Sequence, residues 1–354
     1  MSTRQHRAAA ILLAALLLAS AAPAQATGSW SHISQELTRP ESWQPIVERS
    51  DFALGELSPL EPAAEDPYYE MGFGGYPSLD GSTVAVPMAL EFARQHLPVP
   101  EEDLPAFVQF STTHAAYERL ILRKPNLSAQ LPSLRAFMDE THPVDLLLAT
   151  PPSDAELALA AEQGVELVME PVCYDAFIFL THRSNPLDSL TVEQIRAIYR
   201  GEITSWAEVG GDELSIRAYQ RQPNSGSQTA MEDLVMQGEP MAGAVKIQVV
   251  PTMDGTLRQI GTFAGDSHSL GYSYLYYLES LYQQADVKVL AIDGISPTPD
   301  NLRSGAYPFT ARYYGVLRKE DEGGTAGQFL AWMRSEEGQR CIAQAGYIPL
   351  EPLQ

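Results

Sequence analysis

From about residue 76 onward, short apolar runs alternate with small polar turns and with segments of helical period. "YPSLDGSTVAVPMALEFARQHL" predicts a loop and then an amphipathic helix from about Val84 to His96, capped by Ser82 or Thr83. "PAFVQFSTTHAAYERLIL" repeats the order with a short strand from Phe107 to Phe110, the hydroxyl cluster Ser111, Thr112 and Thr113, and a helix. "VDLLLAT" is a continuous apolar run, hence a buried strand, and it ends at Thr150 ahead of Pro151, Pro152, Ser153 and another helix. Strand, polar turn and helix make a βα unit, and its repetition predicts an α/β fold with a mostly parallel sheet.

Two strands are expected near residues 166 to 170 and 174 to 181. "LTVEQIRAIYRG" is a helix that sets Val192, Ile195, Ile198 and Tyr199 on one face and stops at Gly201. "SIRAYQR" is a strand ending at Arg221, and further strand-bearing segments follow at "LGYSYLYYLESL" and "VKVLAIDGI". Tyr272, Tyr274, Tyr276 and Tyr277 alternate at strand spacing and read as core and hinge packing. The C-terminal stretch predicts two helices separated by a Ser/Glu/Gly break, the second closed by Gly346. No internal repeat is apparent.

The N-terminus departs from this pattern. Arg4 and Arg7 precede "AAAILLAALLLA", and Ala24, Gln25 and Ala26 supply a small-residue cleavage signature, so residues 1–26 read as a signal peptide. Residues 27–75, rich in proline, acid and aromatics, form an irregular N-terminal extension. The apolar run is too short to span a bilayer. With Cys173 and Cys341 the only cysteines, none follows the signal to accept a lipid, and the expected location is periplasmic or secreted. Sequence leaves open whether those two pair or are buried singly.

The length of 354 residues, 45% hydrophobic, suits two domains or one large two-lobed unit. Net charge is −22, and loss of the two basic residues of the signal leaves −24. That balance argues against nucleic acid or an anionic membrane as partner, because both require basic patches. It leaves a small anion open, since surface carboxylates are screened within about 10 Å at ordinary ionic strength.

The candidate chemistry is of that kind. In "QRQPNSGSQTAMED" a strand ends at Arg221, a turn follows, and Ser225, Gly226 and Ser227 open a helix. Helix-start N–H groups and the positive dipole end favour an oxyanion, glycine admits close approach, hydroxyls donate, and arginine clamps two oxygens. The plainer alternative is a Ser/Asn-capped helix with a surface arginine. Ser82 with Thr83, Thr112 with Thr113, and Thr150 with Ser153 also occupy turns before helices, where ligands of open α/β sheets gather. Zinc is disfavoured because the histidines show neither close pairs nor HExxH, although His114 adjoins the hydroxyl cluster. "GFGGY" lacks nucleotide-loop spacing, "NSGSQT" is not a nucleophile elbow, and Asp254 and Glu232 read as surface acids. No cofactor is expected.

The blocks "DGSTVAVP", "NPLDSLTVEQIRAIYRGEITSWAEVGG", "QRQPNSGSQT" and "MRSEEGQRCIAQAGYIPL" resemble the PstS-type phosphate-binding proteins of ABC importers, from about Tyr76 to Leu350. The resemblance implies a two-lobed periplasmic-binding-protein-like fold with the ligand cleft between lobes. Lobe 1 would take residues 76–180 plus 310–354, and lobe 2 residues 181–309, with crossing segments near "IFLTHR" and "AYPFTAR". It implies a monomer that captures phosphate or a similar oxyanion for a membrane ABC permease, without catalysis. The family's arginine matches Arg221 and its turn Ser225, Gly226 and Ser227; its first-loop threonine matches Thr83 beside Ser82, with Val84 offering only its backbone N–H. The second-loop serine matches Thr113, with Thr112 as the alternate. Where the family's third loop carries an aspartate that accepts the proton of hydrogen phosphate, this chain has Thr150. Two rival functions share the same cage: an oxyanion sensor or surface-interaction protein without an importer, and an exported phosphoester hydrolase.

Overall fold

The computed structural model describes residues 76–97, 101, 104–108, 110–126, 143–242, 247–250, 268–281 and 286–351. The expected signal peptide, the N-terminal extension and Asp254 lie outside these residues. Packing separates the described chain into two compact units, one holding the residues up to Val172 and again from Tyr313, the other running from Cys173 to Arg312.

Strand β1 (Leu79–Gly81) leads through a 3₁₀ turn, Thr83–Ala85, into α1 (Val86–His96). Pro87 stands in the first turn of α1, where its missing N–H costs no hydrogen bond. Helix α2 (Thr113–Ile121) starts where Thr112 caps it, Oγ1 accepting from the Ala115 N–H. Strand β2 (Leu146–Ala149) is wholly buried, as expected of a strand covered on both faces. Helix α3 (Asp154–Gln163) begins at Ser153, whose N–H donates to the Glu156 carboxylate, and ends at left-handed Gly164, φ 66°. Strand β3 (Leu167–His182) crosses from the first unit into the second.

In the second unit β4 (Ser189–Leu190) precedes α4 (Val192–Arg200), which opens with a Thr191/Gln194 capping box. Its buried Ile195, Ile198 and Tyr199 contribute about 1.5–3 kcal/mol each by burial. Strand β5 (Arg217–Arg221), α5 (Gly226–Ala230), β6 (Ile247–Val250), β7 (Ser269–Tyr274) and β8 (Val287–Ile292) follow. A π-helical turn, Met231–Met236, continues α5. Strand β9 (Thr310–Arg318) returns the chain to the first unit, which closes with α6 (Thr325–Met333), α7 (Glu336–Gln344) and β10 (Ile348–Pro349).

Within the first unit, β1 runs parallel to β2 (Gly81 opposite Leu148) and β2 antiparallel to β9 (Ala149 opposite Tyr314). Leu147 and Ala149 pack with Ala116, Tyr117 and Leu120 of α2, Ala160 of α3 and Val316 of β9. Within the second unit, β5 is parallel to β6 and β7, and β3 is antiparallel to β7 and β8. Phe177, Phe179, Tyr199, Tyr272 and Tyr274 form a stack of tilted and edge-on ring pairs along β3, β7 and α4.

The fold is α/β, and four details of the sequence reading change. The sheet pairing is mixed, because the crossing strands β3 and β9 run against their neighbours β7 and β2. The two strands expected around residues 166 to 181 are one, since the fixed φ of Pro171 suits extended backbone and costs only one ladder donor. Leu104–Phe107 is a helical turn with Pro105 near its start, and Val108 and Phe110 are not in a strand. Tyr276 and Tyr277 fall beyond β7 in a helical turn. Cys173 and Cys341 are buried thiols, not a disulfide. Among the described residues no helix is long and apolar enough to cross a membrane.

Candidate functional site

In the first unit the C-terminal ends of the parallel pair β1 and β2 gather the starts of the following helices, the edge at which open α/β sheets take ligands. Asp80, 0% exposed, organises this edge. Its Oδ1 accepts from the N–H groups of Gly81 (2.8 Å) and Ser111 (2.7 Å), and its Oδ2 from the Ser111 hydroxyl (2.8 Å) and Arg119 Nη1 (3.1 Å). Burial nevertheless raises the Asp80 pKa, the bonds from Ser111 and Gly81 and the Arg119 charge opposing that shift. These contacts tie β1 to the entrance of α2.

Ser82 N–H donates to Leu148 O of β2 at 3.0 Å; Ser82 precedes the 3₁₀ turn begun by exposed Thr83 but makes no side-chain cap bond. Ala85 stands at the start of α1, so the expected cap of that helix by Ser82 or Thr83 is not made. Val84 is buried, its carbonyl accepting from Tyr347 OH. Thr112 is exposed and spends its hydroxyl on the α2 cap, whereas Thr113 is buried. Thr150 follows β2; its carbonyl accepts from Tyr117 OH at 2.8 Å, while its Oγ1 is buried without a hydrogen-bond partner. His114 Nδ1 lies 2.8 Å from Oε1 of Glu156, so that histidine is engaged by α3.

In the second unit the end of β5 delivers Arg221, 8% exposed, beside the start of α5. Asn224, at φ 61°, turns the chain with the left-handed geometry asparagine tolerates. Ser225 caps α5, its Oγ accepting from Gln228 N–H at 3.3 Å, and Gly226 and Ser227 are the first helical positions, whose N–H groups precede any intrahelical acceptor. Arg221 Nη1 donates to Ser227 Oγ at 3.1 Å. The backbone is pinned from β7: Arg221 N–H donates to both Tyr272 Oη and Gln228 Oε1 at 3.0 Å, Tyr272 OH donates to the same Gln228 oxygen, and Tyr274 OH to Gly226 O at 3.1 Å. Burial raises the Tyr272 pKa, keeping it a phenol that can donate.

Thus Ser82, Thr83, Val84, Thr112, Thr113 and Thr150 share one edge of the first unit, and Arg221, Ser225, Gly226 and Ser227 share one turn of the second. The supporting residues Asp80, Arg119 and Gln228 escaped the sequence reading, and Tyr272 and Tyr274, read there as packing residues, also hold the turn by hydrogen bonds. Of the first three, Asp80 carried a visible signal, an acid immediately before a glycine and a hydroxyl pair, although its stretch reads as a loop and is strand β1. No group of His, Cys, Asp and Glu fit to hold a metal ion occurs among the described residues.

The model of the PBP superfamily domain matches residues 132–337. The chain belongs to the PBP superfamily. Among similar members, the phosphate-binding protein PstS of Bacillus subtilis is 26% identical over 240 residues, covering 62% of this chain and 76% of its own. PstS of Borreliella burgdorferi is 25% identical over 194 residues, covering 54% of this chain and 68% of its own. A phosphate-bound solved structure from Clostridium perfringens superposes with a TM-score of 0.57 at 22% identity, over 78% of this chain and 99% of that one. An ABC-type phosphate transport receptor from Vibrio cholerae gives 0.54 at 19% identity, over 77% and 99%. At those identities the two structures show that this superfamily member shares their fold.

Proposed function

We propose that the mature chain is a periplasmic or secreted, monomeric solute-binding protein that captures inorganic phosphate and delivers it to an ABC permease. The observation that carries this reading is the buried Arg221, fixed by β5 and Ser227 next to the opening turn of α5. A buried guanidinium at a helix start is a strong oxyanion ligand, because charge-assisted bonds there face little competing water. The names of the B. subtilis and B. burgdorferi relatives, and the phosphate bound in the C. perfringens structure, support the choice of anion. Arg221 serves as the charged clamp and Ser225, Gly226 and Ser227 as its neutral donors. Ser82, Thr83, Val84, Thr113 (or its alternate Thr112) and Thr150 supply the neutral donors of the first unit. The two units act as the lobes of the receptor. Its role is capture and release, with no covalent step.

The test is isothermal titration of phosphate-stripped protein with phosphate. A single saturable site is expected, and the absence of binding heat together with an unchanged melting temperature would remove the assignment.

A further inference from the structure

The protonation state a site demands of its oxyanion depends on whether it offers an acceptor. Hydrogen phosphate carries a proton that must be received when buried, whereas sulfate carries none and meets a carboxylate lone pair with repulsion. Among the described residues at the β1/β2 edge the buried carboxylates are Asp80 and Glu156. A carboxylate has about four acceptor sites. Those of Asp80 are filled by Gly81 N–H, Ser111 N–H, the Ser111 hydroxyl and Arg119, two bonds on each oxygen. Both oxygens of Glu156 are engaged as well, Oε2 by Ser153 N–H at 2.7 Å and Oε1 by His114 Nδ1 at 2.8 Å.

What remains open at this edge are the hydroxyls of Ser153 and Thr150, and of the two Thr150 directly follows β2. It is 2% exposed and its Oγ1 has no partner, although Tyr117 fixes the adjoining carbonyl. A buried unsatisfied hydroxyl in a rigid turn calls for a ligand or an ordered water. A hydroxyl donates to any oxyanion oxygen, protonated or not.

We propose that Thr150 is a specificity-determining residue that makes the site indifferent to the ligand's proton, so that the chain binds fully ionised tetrahedral oxyanions such as sulfate about as well as hydrogen phosphate. This rests on the oxyanion-binding reading above. It deepens that reading by widening the substrate class beyond phosphate.

The experiment is a pair of titrations, phosphate and sulfate, at pH 8, on wild type, Thr150→Val, Thr150→Asp and Glu156→Gln. Wild-type dissociation constants are expected within about tenfold of each other, whereas a site built to receive the ligand's proton rejects the analogue lacking it by about 10⁴-fold or more. Thr150→Val keeps the shape and should weaken both anions by a similar factor, roughly 10- to 150-fold for one hydrogen bond to a charged ligand. Thr150→Asp should weaken sulfate far more than phosphate. Glu156→Gln should leave the ratio unchanged. A wild-type phosphate preference of 100-fold or more overturns the proposal while leaving phosphate capture intact. So does a ratio that shifts in Glu156→Gln, which would make Glu156 the proton acceptor. Unchanged binding of both anions by Thr150→Val, with an unaltered ligand-free melting temperature, also overturns it. Binding of neither anion by wild type removes the underlying reading and this one together.

Discussion

Arg221→Met separates the clamp from its scaffold. The bonds that fix β5 here come from the Arg221 backbone N–H, which donates to Tyr272 Oη and Gln228 Oε1, so they survive replacement of the side chain. Methionine keeps the unbranched apolar stem of a residue that is 8% exposed. The loss is the guanidinium, whose removal from a buried charge-assisted pair costs about 2–5 kcal/mol of binding. With phosphate at about 1,000 times the wild-type dissociation constant, wild type gains about 4 kcal/mol of stability by mass action. A loss of about 3 kcal/mol in affinity leaves the variant at roughly six times its own constant, and the gain falls to about 1 kcal/mol. At about 2–4 °C per kcal/mol, a phosphate-induced shift of about 8–16 °C in wild type should shrink to about 2–4 °C in the variant. Differential scanning fluorimetry with and without phosphate reads this directly, and far-UV circular dichroism of the ligand-free variant checks the fold. A variant that keeps the full wild-type shift would refute Arg221 as the clamp.

Gly81→Ala should lower stability by about 1–3 kcal/mol or more, because the added Cβ would sit 2.1 Å from Leu148 O on the neighbouring strand; an unchanged urea midpoint would contradict it. Asp80 binds its proton more tightly folded than unfolded, so its share of stability is present below its ordinary value of 3.8 and lost as pH rises through the raised folded value. Unfolding free energy of wild type should therefore fall more steeply with rising pH above 3.8 than that of Asp80→Asn, and parallel slopes would rule the linkage out. Cys173 and Cys341 should resist a thiol reagent in the native protein and both react in denaturant, burial having pushed the Cys341 thiol well above its usual range. Failure to titrate two thiols after denaturation would show a disulfide instead.

What sequence could reveal was local. Helix α4 announced its end at left-handed Gly201, because capping chemistry lies within a few residues of the helix it caps; the Thr191/Gln194 box at its start is equally local but went unread. The Arg221 to Ser227 turn was legible for the same reason: strand end, left-handed Asn224 and serine cap are contiguous. Strand direction was not, because β3 and β9 carry the same buried pattern whichever way their partners run. The scaffolds of the two edges were also out of reach. Asp80 is completed by Ser111 and Arg119, 31 and 39 residues away, and Gln228 by Tyr272, 44 residues away. Periodicity reports that a position is buried and says nothing of which distant donor meets it.

The hydroxyl turns show where that limit bears on function. Thr112 and Thr150 give the same local signal, a threonine between an apolar segment and a helix. Folded, they part. Thr112 is exposed and its Oγ1 accepts from Ala115 N–H, so α2 already accounts for it, while Thr150 is buried and its Oγ1 has no partner. A capping hydroxyl contributes about 1 kcal/mol to its helix and needs no ligand to explain it. An unsatisfied buried hydroxyl costs about 1–3 kcal/mol until something meets it, and that cost is the free energy a bound oxyanion would recover. The same accounting favours Thr113 over Thr112 as the second-loop donor: Thr113 is buried and does not cap α2. Thr113→Val should therefore weaken anion binding with little change in ligand-free stability, whereas Thr112→Val should lower stability by about 0.5–2 kcal/mol and leave affinity nearly unchanged. The reverse outcome would make Thr112 the donor and Thr113 a packing residue.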